Sequence, residues 1–148
     1  MDLQYLFTSF DGRINRAKWW AGIAILTVVS IVLGFLIGVV FGGGTFGTVL
    51  VMLVTLALFY PTYAVCAKRF QDRDRPGKTA LYGLVPMLIA SFFQAFGWTG
   101  APQDPNAIGW LCTLINVGVL LWFVIELGIL KGTPGPNHHG GDPLAALV

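Results

Sequence analysis

The sequence contains few charged residues, which make up only 11% of its 148 positions. A soluble domain carries about 25% charge, so this chain has too little polar surface to be an ordinary soluble protein. Intrinsic disorder is excluded as well, because disordered chains combine low hydrophobicity with high net charge. Here 55% of the residues are apolar and the formal net charge is +2. The remaining class is an integral membrane protein.

Long apolar runs dominate the sequence, and residues 19–67 contain no charged side chain at all. About 20 apolar residues cross a bilayer once, so this run is long enough for two crossings, separated at the three glycines 42–44. A charged loop at residues 68–78 follows, and two more apolar runs lie beyond it. Lipid-exposed segments must satisfy their backbone groups internally, which favours helices. The sequence therefore predicts four transmembrane helices, at residues 19–41, 49–67, 79–96 and 108–130.

The basic residues predict the orientation of these helices. All nine Lys and Arg precede the first span, lie in the 68–78 loop or follow the fourth span. Cytoplasmic loops carry the excess of Lys and Arg, so this loop and both termini are predicted to be cytoplasmic. We predict an all-α, four-transmembrane-helix bundle in the cytoplasmic membrane. Residues 1–148 would form one membrane domain with a cytoplasmic tail at 131–148.

Glu126 is the one ionisable residue inside a predicted span. An acid within the membrane favours a functional role, such as a proton relay or a cation site. It lies four residues from the end of the fourth span, which is about 6 Å at 1.5 Å per residue. A structural ion pair with a Lys or Arg at the cytoplasmic boundary is therefore the alternative interpretation.

Three glycines, Gly34, Gly38 and Gly42, recur at four-residue steps in the first span. Small residues at this spacing lie on one helix face and allow a neighbouring helix to approach closely. They are predicted to be helix-packing residues. The pattern leaves open whether the neighbouring helix belongs to the same chain or to a second copy.

Three polar segments flank the spans, at residues 10–20, 68–77 and 132–143. In sequence and order they resemble three motifs of the bacterial inner-membrane family known as domain of unknown function 805, the YhaH-like proteins. Those motifs are F-x-G-R-x-x-R before the first span, R-R-L-H-D in the central loop and G-T-P-G-x-N-x-x-G-x-D-P in the tail. The resemblance covers essentially the whole chain and implies a small bacterial inner-membrane protein, with no known activity to carry over.

The chain departs from the family pattern at specific positions. Lys68 stands where the family has its first loop Arg, Phe70 where it has Leu, and Gln71 where it has His. Gly141 stands where the tail usually has Pro, and Lys78 and Thr79 replace a Trp pair. Glutamine neither transfers protons nor binds metals as histidine does, so no such role is carried over to Gln71.

The predicted topology brings the three polar segments to one face of the membrane. We predict a cytoplasmic cap in which Asp72 and Asp142 accept hydrogen bonds from Arg13, Arg16 or Arg69, with spare guanidinium donors for an anionic lipid head group. The alternative is that these charges only set the orientation of the protein. The candidate residues for the cap or the head-group site are Arg13, Arg16, Arg69, Asp72, Arg73, Asn137 and Asp142.

We find no sequence motif for catalysis. The chain has neither a phosphate-binding Gly-rich motif nor a G-x-S-x-G nucleophile motif, and its two histidines are adjacent at positions 138 and 139. Aspartates interleave with the basic residues of the loop, which argues against nucleic-acid binding. We expect no cofactor, no metal site, no nucleic-acid partner and no enzymatic activity.

These observations favour a non-catalytic module that organises or regulates a membrane partner or an anionic lipid. Its expected partners are membrane lipids, a second copy of the chain or another membrane protein. One alternative is a small homo-oligomeric transporter or channel that uses Glu126. Another is a lipid-modifying enzyme at the inner interface, with Asp72, Asp74 or Asp142 as acids or metal ligands.

Overall fold

The computed structural model describes residues 2–145 and is mostly helical. Position 1 and the last three positions of the predicted 131–148 tail lie outside the described residues. The helices are α1 (Leu3–Thr8), α2 (Arg16–Phe41), α3 (Thr45–Gln71), a 3-10 helical turn (Gly77–Ala80), α4 (Leu81–Ala95), α5 (Ala107–Phe123) and a π-helical turn (Val124–Ile129), and a small antiparallel hairpin pairs β1 (Gly100–Ala101) with β2 (Asp104–Pro105).

Short polar side chains set the beginnings of three helices. Asp2 accepts from the backbone N–H of Tyr5 at 3.0 Å and begins α1, a short helix absent from the sequence predictions. Asn15 accepts from the Lys18 N–H at 2.9 Å at the start of α2, and Asn106 caps α5 in the same way. Such side chains satisfy N–H groups that the first turn of a helix leaves unpaired.

Among the described residues, three helical segments are long and apolar enough to cross a membrane. They are Arg16–Phe41, Thr45–Gln71 and Ala107–Ile129. Gly42, with a φ of +68°, ends α2 and begins the turn into α3, as expected for a glycine in the left-handed region. The predicted third span corresponds to the 3-10 turn and α4, and α4 alone has 15 residues.

Helix α3 extends four residues beyond the predicted end of its span. Residues 68–71 were predicted to begin a loop, but they are helical and buried. The side chains of Lys68 and Arg69 donate hydrogen bonds to backbone carbonyls inside the protein. The helix can therefore continue through these polar residues without exposing them to water. The connection to the next helical turn is therefore short, at residues 72–76.

The buried core lies at one end of the molecule. We call this end the basic end, because all nine Lys and Arg lie there, at residues 13–18, 68–78 and 131. The two largest side chains that are fully buried are those of Arg69 and Lys68. Many apolar side chains nearer the other end are exposed, including Phe35 at 68% and Val39 at 67%, as expected for helices whose outer faces meet lipid. The buried apolar core consists of Leu6, Ile14, Trp19, Val65, Cys66, Phe70, Ala80, Leu84, Phe123 and Leu127.

Two sets of glycines differ in what surrounds them. A Cβ placed on Gly34, Gly38 or Gly42 meets no atom of the described residues within 4 Å, so these glycines face no other helix of this chain. By contrast, a Cβ on Gly83 in α4 would lie 2.7 Å from the ring of Phe123 in α5. Gly83 therefore marks a close contact between α4 and α5, and the packing role of Gly34, Gly38 and Gly42 stays a prediction.

We expect Gly83→Ala to destabilise the protein by about 1–3 kcal/mol, the usual cost of an overpacked contact, because its methyl group would overlap the Phe123 ring. Gly38→Ala is the matched control and should leave stability unchanged or slightly raised, since alanine favours a helix over glycine. Reversible unfolding in mixed SDS micelles measures both. Equal effects of the two substitutions would contradict the close approach of α4 and α5.

Candidate functional site

Asp72 lies directly after α3, and its carboxylate is held between two arginines. Arg13 donates from Nε to Oδ1 at 3.0 Å, and Arg69 donates from Nη1 to Oδ2. The three side chains are almost completely inaccessible, with exposed fractions of 1% for Arg13, 0% for Arg69 and 4% for Asp72. We call these three residues the Asp72 triad.

The other donors of Arg13 hold the C-terminal tail. Its Nη2 donates to the Thr133 carbonyl at 2.7 Å, and its Nη1 donates to the Gly135 carbonyl at 2.6 Å and the Gly140 carbonyl at 3.3 Å. The segment before α2 is thus joined to the tail as well as to Asp72. Multiple hydrogen bonds suit a guanidinium, which presents five donors in a fixed planar arrangement.

Arg69 binds the end of the last helix. Its Nε donates to the Leu127 carbonyl at 2.7 Å and its Nη2 donates to the Leu130 carbonyl at 2.5 Å. The last carbonyls of a helix lack intrahelical partners and form the negative end of the helix dipole. Arg69 therefore compensates the charge of Asp72 and completes the hydrogen bonds of this helix end.

Two residues of α2 contact the same π-helical turn. Arg16 donates to the Ile129 carbonyl at 2.9 Å, and the Trp20 indole donates to the Gly128 carbonyl at 3.3 Å. Glycine is favoured at position 128, because a Cβ would lie 2.7 Å from the Trp20 ring and 3.0 Å from the Trp19 ring and would force these rings to move. The first turn of α2 and the end of the last helix are therefore closely packed.

The tail packs directly against Asp72. Thr133 donates from its backbone N–H at 2.9 Å and from its hydroxyl at 3.2 Å to the Asp72 carbonyl. Asn137 donates to the Gln71 carbonyl and to the Thr133 hydroxyl, both at 2.9 Å. A Cβ on Gly132 would overlap the Asp72 carboxylate, so this position has room only for glycine.

Burial raises the pKa of the Asp72 carboxyl, while attraction to Arg69 and the hydrogen bond from Arg13 act to lower it. Taking a carboxylate out of water is unfavourable unless positive charge and hydrogen bonds compensate it. The two guanidinium groups supply this compensation here. Their side chains are inaccessible, so Arg13 and Arg69 stabilise the fold and do not present free donors at the surface.

Asp142 has different partners from those predicted. It accepts from the backbone N–H of Gly135 at 3.0 Å and of Leu144 at 2.9 Å, whereas the sequence predicted an arginine partner. Hydrogen bonds from these two N–H groups lower the pKa of the Asp142 carboxyl. The tail folds back on itself between residues 135 and 142, and Asp142 stabilises this turn through its bond to Gly135.

A second carboxylate, Asp74, meets the tail at its surface. Its Oδ1 lies 3.0 Å from Nδ1 of His138 and also accepts from the His138 backbone N–H at 3.3 Å. The hydrogen bond from His138 lowers the pKa of the Asp74 carboxyl. The contact fixes the tip of the tail to the turn after α3.

We expect the tail to loosen on acidification. A carboxyl whose pKa is lowered by folding stabilises the folded state above its unfolded pKa, near 4, and this stabilisation is lost as the pH falls through the folded value. Asp74 and Asp142 both behave in this way. Hydrogen exchange at residues 133–142, corrected for intrinsic rates, should therefore increase below about pH 4. Asp142→Asn should loosen the tail already at pH 7, and protection that does not change between pH 7 and pH 3 would contradict the prediction.

Glu126 lies in the π-helical turn and is 7% exposed. Its Oε1 lies 3.0 Å from Nε of Arg73 and 2.9 Å from Nη1 of Arg75. Arg73 also donates to the Lys131 carbonyl at 3.3 Å. This geometry is that of an ion pair at the basic end. It agrees with the structural ion pair that the sequence analysis gave as the alternative to a functional role for Glu126.

Lys68 is a buried cation that the sequence interpretation counted only as part of the loop. Its Nζ donates to the carbonyls of Leu6 at 2.8 Å and Ser9 at 2.7 Å and to that of Tyr5, and it lies 4.6 Å from the centre of the Tyr5 ring. These carbonyls lie in the last turn of α1 and just beyond it. A lysine that follows an apolar run indicates the orientation of a membrane span. No sequence pattern therefore distinguishes Lys68 as a residue that caps the end of α1.

The arrangement at the basic end separates buried from exposed cations. The buried cations, Arg13, Lys68 and Arg69, donate hydrogen bonds to acceptors inside the protein, whereas other cations are exposed to solvent. Within residues 2–145 there is no group of three or more His, Cys, Asp or Glu side chains placed to hold a metal ion. The exposed cations are Arg16, Lys18, Arg75, Lys78 and Lys131.

Comparison with known proteins gives a match to a family described as "Protein of unknown function (DUF805)", over residues 7–141. The uncharacterized protein YiiR of Escherichia coli K12 is 32% identical over 143 residues, covering 96% of this chain and 90% of YiiR. The inner membrane proteins YhaI and YhaH of the same strain are each 31% identical, covering 68% and 70% of this chain and 86% of each relative. No solved structure matches.

Proposed function

We propose that this chain, which belongs to the DUF805 family of proteins of unknown function, is a non-catalytic membrane module that organises an anionic lipid or a membrane-protein partner. Two of its relatives are named inner membrane proteins, and its long apolar helices agree with a location in the bacterial inner membrane. The observation that carries the proposal is the Asp72 triad together with the tail carbonyls that Arg13 binds, which joins the three polar segments into one hydrogen-bonded face and leaves other cations exposed.

We further propose a multi-pass topology with four crossings and both termini in the cytoplasm. Arg13, Asp72 and Thr133 meet within hydrogen-bonding distance, so the chain returns to the same end after α3 and again after α5. The 3-10 turn and α4 together span about 30 Å, which equals the hydrocarbon thickness of a bilayer. All the Lys and Arg lie at that shared end, which favours the cytoplasmic side.

The non-catalytic part of the proposal is supported by the partners of three acids at the basic end, Asp72, Glu126 and Asp142. The Asp72 carboxylate accepts from two arginines, and Glu126 is ion-paired with Arg73 and Arg75. Asp142 accepts from two backbone N–H groups. A general acid or base must reach the proton that it transfers, and these carboxylates already have internal partners.

The exposed lysines support the lipid part of the proposal. Lys18, Lys78 and Lys131 come from three different segments of the chain, and all are exposed at the basic end. A basic residue near an anionic bilayer surface gains about 1 kcal/mol of electrostatic attraction. A rigid scaffold carrying several such residues favours anionic lipids in the surrounding layer.

The test is to extract the protein from its native membrane in polymer nanodiscs and to identify the retained lipids and proteins by mass spectrometry. The triple variant Lys18→Gln, Lys78→Gln, Lys131→Gln should lose the anionic lipid that wild type retains. Asp104→Asn, at the far hairpin, is the control and should retain it. One reproducible protein partner without lipid selection would support the partner form of the proposal. Bulk lipid alone, with no partner, would overturn it.

A further inference from the structure

A cleft of about 420 Å³ runs along the bundle between α2, α4 and α5, with α3 as its floor. Its lining on α2 extends from Trp19 to Ile31, about 18 Å along the helix. The cleft opens to the outside, since Ile31 is 65% exposed and Leu120 is 57% exposed. The wall is mostly apolar, and a few hydroxyls interrupt it, including that of Ser30. A long, narrow, apolar cleft that opens to the side suits a linear hydrocarbon chain.

One polar group at the basic end of this cleft lacks a strong acceptor. Trp19 lines the cleft and is 3% exposed, and its indole Nε1 meets no oxygen or nitrogen acceptor among the described residues. Its neighbour is the Cys66 thiol, which is at best a weak acceptor. A buried donor without an acceptor is unfavourable, so a ligand carbonyl at this position would complete the site.

Positive charge lies next to this donor. Arg16 is three residues before Trp19 and four before Trp20, which places it on the same helix face, one turn nearer the basic end. The residue is exposed, and Nη1 donates to the Ile129 carbonyl, which leaves other N–H groups of the guanidinium for an anion. The order from the basic end inward is therefore cation, N–H donor and apolar cleft.

We propose that the cleft holds one acyl chain of an anionic phospholipid from the inner leaflet, with its ester carbonyl accepting from Trp19 Nε1 and its phosphate facing Arg16. The order of charge, carbonyl and hydrocarbon in such a lipid matches the order of groups along α2. This inference rests on the proposed function and assigns the site at which a lipid is held. Binding requires no covalent step.

The experiment uses the full chain in nanodiscs of phosphatidylethanolamine and phosphatidylglycerol, in which a trace of the phosphatidylglycerol carries a diazirine on one acyl chain. Cross-links are mapped by peptide mass spectrometry. They should concentrate on cleft residues such as Thr55 and Ser91, and be several-fold fewer on the lipid-facing Val39 and Leu53. An even distribution over all these positions would overturn the proposal.

Two variants of α2 at the same depth provide the matched comparison. Ser30→Phe places a ring in the cleft and should abolish the concentrated cross-links. Val28→Phe changes a residue that is 60% exposed and outside the cleft lining, and should leave them intact. Trp19→Phe keeps an aromatic side chain but removes the indole N–H, and should weaken lipid retention roughly two- to tenfold, as expected for one hydrogen bond. Equal cross-linking in Ser30→Phe and Val28→Phe would overturn the site.

The outcomes separate this inference from the proposed function. Loss of the cleft cross-links in Ser30→Phe, with no effect of the three lysine substitutions on lipid selection, would support the acyl site and overturn the organising role of the lysines. Cross-links that persist in Ser30→Phe, together with loss of lipid selection in the triple lysine variant, would overturn the acyl site alone. A covalent protein dimer formed through the cleft, without lipid adducts, would assign the cleft to a second copy and overturn the proposal.

Discussion

Replacing Asp72 with alanine is expected to lower the free energy of unfolding by about 3–5 kcal/mol, the usual cost of removing one partner from a buried ion pair. The substitution would leave the guanidinium groups of Arg13 and Arg69 facing each other without a counter-charge. Both are inaccessible to solvent, so water cannot replace the carboxylate without opening the structure.

Unfolding in mixed SDS micelles measures this effect, and two variants act as controls. Asp72→Asn keeps an acceptor oxygen but removes the charge, and should lose less stability than Asp72→Ala; it also keeps the prediction testable if alanine prevents folding. Asp11→Ala removes an exposed acid of the first polar segment and should change stability by no more than about 0.5 kcal/mol. A loss below about 1 kcal/mol for Asp72→Ala would contradict a stabilising role of the triad.

Lys68→Met is expected to cost about 2–4 kcal/mol, because hydrogen bonds to a charged group contribute about 1.5–3 kcal/mol each and relief of the desolvation of the ammonium offsets part of the loss. Methionine keeps most of the apolar stem but none of the donors. The carbonyls of Leu6 and Ser9 would lose the ammonium that holds them. The loss should therefore be concentrated in α1.

Hydrogen exchange of residues 3–9 measures the detachment of α1, and unfolding in SDS micelles measures the total loss. Lys78→Met is the matched control, since Lys78 is an exposed lysine of the same region and its replacement should leave both measurements unchanged. Full protection of α1 in Lys68→Met would show that apolar contacts such as that of Leu6 hold the helix without the lysine.

These two predictions locate the stability of the protein at its basic end. There the polar segments, α1 and the tail share one network around the buried core, whereas the outer faces of α2 are exposed. Such a division suits a membrane protein with a tightly hydrogen-bonded polar end and an apolar part whose outer faces meet lipid. The cleft between α2 and α5 lies in that second part.

The sequence predicted the long helices well. Helices α2 and α3 include the predicted spans 19–41 and 49–67, and α5 with the π-helical turn covers nearly all of the predicted span 108–130. It also placed Arg13, Arg69 and Asp72 together as candidates. It missed the role of Lys68 and the backbone partners of Asp142. Both errors have one cause, because charge patterns show where ions lie along the chain but not which carbonyl or N–H the fold brings to them.

The sequence by itself determined that this is a membrane protein of the DUF805 family, because the length of an apolar run and the order of motifs are properties of the chain alone. Only the tertiary structure decided the partners of each charge. Asp72 meets Arg13 across 59 positions, and Arg13 meets Thr133 across 120. Contacts this distant in sequence depend on how the helices pack, and packing also decides that Gly83 touches a neighbouring helix whereas Gly38 meets no other helix among residues 2–145.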